Sequence, residues 1–298
     1  MLTSFFQTKP KDILIAAFAD MHTGSSTALH PNVRWINGKW TPIIDLQGWK
    51  YKHNHHYYLN SIQERIWNHY EGCLDATAQL REGKNLIMLN LGDAIDGVHH
   101  NTQQITTRNI TEQKDVHVEL MRYTKERVKY QGGDMLLYLA GTDVHVGDEE
   151  DGIGKDLGAY QFNDGFYSAS FIQMEKNGKL IWAFHKGAAA GLYPMRGNAA
   201  NLLLKRIFYE CRMAGERVPD LVFSAHTHDP EYFTYTMDHH TIHYVIAPSW
   251  QDKTRFVNDN MAIATNKIGM YWVTISGEGE IKVLPPALIR SPRGEFVR

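Results

Sequence analysis

Leu86-Ile87-Met88-Leu89-Asn90-Leu91 runs directly into Gly92-Asp93-Ala94-Ile95-Asp96, and this junction decides the fold. A short apolar run closed by a glycine predicts a strand buried on both faces. The glycine lets the backbone turn tightly, and two carboxylates follow at once. The same junction recurs along the chain. Ile13–Phe18 leads to Asp20-Met21-His22, and residues 135–140 lead to Gly141-Thr142-Asp143-Val144-His145. Residues 180–184 end at His185, and Leu221–Ala225 ends at His226-Thr227-His228. Ligand-type side chains at the ends of adjacent buried strands converge on one sheet edge, where α/β proteins place their sites.

Helical spacing predicts helices over 58–81, over 111–130 with Thr111 as N-cap, and over 198–213. Residues 232–235, 241–246 and 270–275 read as further strands. The fold class expected is therefore α/β, with two packed mixed β-sheets flanked by helices. A chain of 298 residues with no internal repeat fits a single domain, 1–298. Within it, residues 24–57 lack periodicity but carry Trp35, Trp40 and Trp49, so an ordered insertion near the site is expected.

A hydrophobic fraction of 43% and a charged fraction of 21% are those of an ordinary soluble globule. No apolar run is long enough for a membrane span. Residues 1–6 lack the basic head and apolar stretch of a secretory signal, and Cys73 and Cys211 are far apart. A cytoplasmic protein with reduced thiols is expected. The net charge of −2 argues against a strongly electropositive surface for long nucleic acid, without excluding a local basic groove. Of the 16 histidines, His53, His55 and His56 form a His-rich segment. Its first reading is an exposed polar loop, its second a substrate-facing or metal-binding role.

Asp and His together suit borderline divalent metals. Asp20 and His22, at i and i+2, would lie on one side of an extended segment and reach one ion. His226 and His228 repeat that spacing, and one carboxylate at Asp93 can bridge two cations. His185, taken alone, reads as a core or loop histidine.

The ordered set DxH, GDxxD, G-x-x-x-H, H, HxH resembles the calcineurin-like metallophosphoesterases, whose pattern is DxH, GDxxD, GNH(D/E), H, GHxH. The resemblance covers about residues 12–250. It implies a four-layer αββα sandwich and a centre of two divalent metal ions. Manganese is expected there, and zinc, iron or nickel would accept the same ligands. Asp20, His22, Asp93 and His228 resemble the ligands of one metal. Asp93 as the bridge, with His185 and His226, resembles most of the second site. Asp96 resembles the family carboxylate that orients the catalytic histidine.

The chain departs from the family twice. Ala225 stands where the last motif usually has Gly, a minor change. Gly141-Thr142-Asp143-Val144-His145 replaces Gly-Asn-His, a larger one. The expectation is that Asp143, ahead of Thr142, supplies the oxygen ligand and His145 replaces the catalytic His. The competing reading is a weak or empty second site. With Asp20, Asp93 and Asp143 against two divalent ions, the surplus positive charge would favour an anionic phosphate.

The resemblance implies phosphodiester hydrolysis by a two-metal-activated hydroxide, with His145 protonating the leaving oxygen. The substrate expected is a phosphodiester, as for a nuclease or a nucleotide phosphodiesterase. The GTDVH variant also resembles phage and prophage phosphoesterases, which raises the nuclease reading. Lys186 and Arg196, with Lys205, are candidates to hold the phosphodiester backbone. The insertion and residues 99–104 are candidates to read a base or sugar. A phosphomonoesterase acting on a small molecule, or an inactive protein-binding scaffold of the same fold, are the alternatives.

Overall fold

In β1 (Ile13–Phe18), Ile13, Ile15 and Ala17 point one way and Leu14, Ala16 and Phe18 the other, and all are buried. Side chains alternate along a strand, so a continuous apolar run must be covered on both faces. The computed structural model, which describes residues 10–52, 55–99, 103–145, 147, 149–191, 194–255 and 266–290, covers it with four layers.

After β1 come two small hairpins, β2 (Val33–Ile36) with β3 (Lys39–Pro42) and β4 (Trp49–Lys50) with β5 (His56–Tyr57). Helix α1 (Ser61–Leu80), β6 (Asn85–Asn90), α2 (Ile110–Arg127), β7 (Met135–Leu139), α3 (Glu149–Asp156) and β8 (Ser168–Ala169) complete the first half. The second half holds β9 (Phe171–Lys176), β10 (Lys179–Lys186), α4 (Asn198–Ala214), β11 (Leu221–Ala225), β12 (Glu231–Met237) and β13 (His240–Ile246). It closes with β14 (Lys267–Ile275), β15 (Ile281–Val283) and β16 (Ala287–Arg290).

The first sheet runs β15-β14-β1-β6-β7-β8, with β16 also on β14, and its strands β1, β6, β7 and β8 are parallel. The second runs β12-β13-β11-β10-β9, with β10, β11 and β13 parallel and antiparallel strands at both edges. Ile15, Leu89 and Leu137 meet Phe223 and Val245 between the sheets. Leu14, Met88 and Tyr138 face Tyr70 of α1, Leu120 of α2 and Ile153 of α3. On the far side Leu204, Ile207 and Phe208 of α4 cover Val222, Ile242 and Tyr244. The architecture is the expected α/β one, helices–sheet–sheet–helix.

Several details differ from the sequence expectation. Helix α2 starts at Ile110 with Asn109, not Thr111, as its cap, because the Asn109 side chain accepts from the Glu112 amide. Helix α1 starts later than residue 58, where Asn60 and Gln63 form a capping box. The edge strand β9 and the helix α3 are additional. Asn177-Gly178, with φ of 49° and 74°, is the tight hairpin turn that folds β9 back from β10. Both cysteines are free and buried. Among the described residues no helix is long and apolar enough to cross a membrane.

The candidate metal centre

The parallel strands of both sheets deliver their C-terminal ends to one edge. There the loops after β1 and β6 zip together. Asp20 N donates to Gly92 O at 3.0 Å, His22 N to Asp93 O at 3.0 Å and Thr23 N to Ala94 O at 3.1 Å. His226 N, from the second sheet, donates to Asp20 Oδ2 at 3.1 Å. The extended DxH segment expected from the sequence is not what forms. Asp20 and His22 have φ of 47° and 44°, so both lie in the left-handed region. Asp93, His226 and His228 do too, at 52°, 73° and 51°. Such conformations cost about 1 kcal/mol or more each and cluster where side-chain aim matters.

The ligand atoms of Asp20, Asp93, His185 and His226 all lie within 4.8 Å of one another, as do those of Asp20, His22 and His228. Asp20 is common to both groups. Asp93, expected as the bridge, lies 3.2 Å from His185 Nε2 and 4.0 Å from His22 Nε2, so its carboxylate also faces both. Asp20 Oδ1 stands 3.4 Å from His228 Nε2. Asp20 Oδ1 and His185 Nε2 are buried and have no hydrogen-bond partner among the described residues. These atoms meet only at ion-pair distance, His185 Nε2 with Asp93 and Asp20 Oδ1 with His228, and a cation would satisfy both. This mixed O and N donor set fits divalent ions of the borderline class.

His185 and His228 are anchored through their other nitrogen, which aims their imidazoles. His185 Nδ1 bonds Leu91 O at 2.7 Å, and His228 Nδ1 lies 3.4 Å from Asn266 Nδ2. His22 Nδ1 lies 3.3 Å from Asp96 Oδ1. Burial pushes the His185 imidazole down, but its hydrogen bond to Asp93 and the Asp20 charge outweigh this and raise it to about 9. Burial raises Asp93 and Asp20 while the facing histidines pull both carboxyls below the ordinary range. Asp96 settles at about 2 because His22 and His99 outweigh its burial.

Asp96 and His145 gather with His22, their ligand-type atoms within 4.8 Å of one another. The Asp96 carboxylate faces His22, His99 Nε2 at 3.7 Å and Gln251 Nε2 at 3.3 Å. His145 Nδ1 instead lies 2.9 Å from the Asp96 backbone oxygen, and its ring meets those of His22 and His99 edge-on at 4.5 and 4.3 Å. Burial, and then His22, lower His145 to about 4. A neutral imidazole that gives its Nδ1 proton to Asp96 O keeps Nε2 for substrate-side proton traffic.

Asp143 is the expected oxygen ligand. Its side chain is exposed and joins neither group, whereas Thr142 is buried, its amide 2.6 Å and its hydroxyl 3.0 Å from Asp93 Oδ1. The chain turns at Gly141, so the first residue after it faces inward and the next outward. Arg196 is the expected substrate-side cation. Its guanidinium is committed to Asp229 and Glu231, at 2.8 and 2.7 Å, and to Gly191 O. Lys186 is exposed at the end of β10, and Lys205 lies on α4 with its amine 6.0 Å from the Tyr209 ring.

His55 and His56 bond loop carbonyls of Thr106 and Gln47. His53, and residues 100–102 of the segment proposed to read a base, lie outside the described residues. Sequence reading missed Gln251, Asn266 and Glu150. Gln251 follows the apolar end of β13, the same strand-to-loop signal as the other clusters. Glu150 is 1% exposed, with Oε1 3.4 Å from Ala94 N, and burial with the nearby Asp93 charge pushes it up to about 8.

No protein-family model and no curated protein matches the chain. Among solved structures it is similar to a predicted phosphoesterase of Streptococcus pneumoniae, at 9% identity and a TM-score of 0.32, covering 94% of this chain and 97% of that one. NAD nucleotidase of Haemophilus influenzae aligns at 10% identity and a TM-score of 0.38, over 92% of this chain and 49% of that one. Sulfate thiohydrolase of Thermus thermophilus aligns at 12% identity and 0.37, over 93% and 57%. The chain thus spans about half the length of the latter two. At such identities and scores these likenesses carry no inference about chemistry.

Proposed function

We propose that this protein is a metal-dependent phosphoesterase acting on phosphodiesters. The observation that carries the reading is the meeting of Asp20, Asp93, His185, His226, His22 and His228 from two sheets, with their ligand-type atoms gathered in two groups that share Asp20. Two divalent ions held there would supply Lewis acidity toward the phosphoryl oxygens and a nucleophilic water at neutral pH.

The chain's own residues do the rest. Asp20 and the Asp93 carboxylate, fixed by Thr142, orient the donor set. Asp96 steadies His22. His145 is tethered through Nδ1; in its imidazolium form it would give the Nε2 proton to the leaving oxygen and return to the neutral Nδ1–H ring. Commitment of Arg196 to Asp229 and Glu231 removes a cation from the substrate side. With Arg196 so engaged, the single charge of a diester suits the site better than the double charge of a monoester.

Metal content by mass spectrometry, then turnover of bis-p-nitrophenyl phosphate and p-nitrophenyl phosphate with added Mn²⁺, tests this. Bound metal and faster diester turnover are expected. Metal-free protein without turnover on either ester would leave the scaffold reading, and faster monoester turnover would reverse the substrate class. DNA, RNA and cyclic nucleotides then narrow the substrate.

A further inference from the structure

Glu150 is a buried carboxylate at the start of α3 that the chemistry above does not use. Its Oε1 lies 3.4 Å from the Ala94 amide, one residue past Asp93. Its Oε2 is buried without a hydrogen-bond partner among the described residues. Between Glu150 and Asp93 runs the Gly141 backbone, with no room for a side chain. A Cβ there would overlap Asp93 Oδ1 and N and lie 2.9 Å from Glu150 Oε1. Thr142, next in the chain, grips Asp93 Oδ1 from its amide and hydroxyl. Two loops from β6 and β7 therefore pack backbone against carboxylate, with Glu150 spanning both.

Leaving a carboxylate buried with one unsatisfied oxygen is costly. The cost is lowered where cations gather, and the groups around Asp20 and Asp93 are such a place. Resting on the metal-centre reading, we propose that Glu150 is a positioning residue: it clips the Asp93 loop to the Gly141–Thr142 loop and so sets the Asp93 carboxylate against its partner ligands. Groups behind a metal's own ligands typically govern 10- to 100-fold in affinity.

Two near-isosteric variants separate the clip from a bare charge. Glu150→Gln keeps an acceptor oxygen at the reach of Oε1 but cannot ionise. Glu150→Asp keeps an ionisable carboxyl but is one methylene too short to meet Ala94 N–H. Mn²⁺ affinity by calorimetry, kcat and KM on the diester, and amide exchange of residues 92–95 and 141–142 in metal-free protein are measured on both. The clip predicts that Glu150→Asp loses roughly 10- to 100-fold in affinity. It also predicts a fall in kcat at little-changed KM and faster exchange in both loops, with Glu150→Gln close to wild type on all three. The reverse order, or two variants indistinguishable from wild type, overturns it. Wild-type protein that binds no divalent ion overturns the metal centre and this role with it. Wild type that binds metal while exchange and affinity ignore Glu150 overturns the clip alone.

Discussion

Asp93 takes hydrogen bonds from the Thr142 amide and hydroxyl, faces His185, and lies beside His22. Replacing it with Asn keeps the volume and removes the charge that two cations would share. Asp93→Asn should lower metal-dependent diester turnover by about 10³-fold or more, and near-wild-type rates with added Mn²⁺ would exclude Asp93 from the centre. Its neighbours separate two further claims. Thr142→Val removes a hydroxyl aimed at Asp93 and should weaken metal binding about tenfold, whereas Asp143→Asn changes an exposed carboxylate and should leave affinity within about twofold. Isothermal titration of both variants decides, and the opposite order would restore Asp143 as the ligand. At this scale the sequence was only half legible. Spacing identified which residues gather, but whether Thr142 or Asp143 turns inward depends on the backbone after Gly141, which residue identity does not encode.

His185 gives a pH-dependent signature at the same scale. Its folded pKa of about 9 exceeds the ordinary 6.5, so in metal-free protein its ion pair stabilises the fold fully below 6.5. That contribution is lost as pH rises through about 9. A metal must displace this proton. Binding near neutral pH should release about one proton or more per centre, and the release should fade above about pH 9. Calorimetry in two buffers of different ionisation enthalpy reads it directly. A binding enthalpy independent of buffer at neutral pH would mean that His185 is not displaced from Asp93.

Elements place these residues through their ends. Gly92 ends β6 with φ of +99°, and a Cβ there would lie 2.7 Å from His185 Nδ1 and 2.9 Å from the Gly141 Cα. Gly92→Ala combines a strained backbone with a displaced imidazole. It should destabilise metal-free protein by about 2 kcal/mol in urea unfolding, and weaken metal binding as well; a loss below about 0.5 kcal/mol would show that the turn can relax. The strands that carry the site were legible because their apolar runs are continuous. Buried on both faces, they leave little choice of assignment. The amphipathic edge strand β9 and the glycine-bearing helix α3 were not, since each has a weak local signal and is fixed by packing onto β10, β7 and β8.

At the scale of the whole molecule, the centre joins two sheets that otherwise meet through an apolar core. Asp20 of the first sheet and His226 and His228 of the second belong to shared ligand groups. Metal binding is then a crosslink between layers as well as a cofactor. Four buried acidic side chains, Asp20, Asp93, Asp96 and Glu150, crowd one edge, and bound cations would relieve them. Chelation should therefore lower the melting temperature, and not only stop turnover. Mn²⁺ at a hundredfold excess over its Kd adds about 2.7 kcal/mol to the native state. For a chain of this size that is roughly 4 °C in the melt. Calorimetry with and without EDTA measures it, and the same shift should vanish in Asp20→Asn, which removes the carboxylate common to both groups. An EDTA-insensitive melt of protein that demonstrably holds metal would show that the ion sits on one sheet alone, because a ligand set spanning both layers cannot be emptied without loosening them.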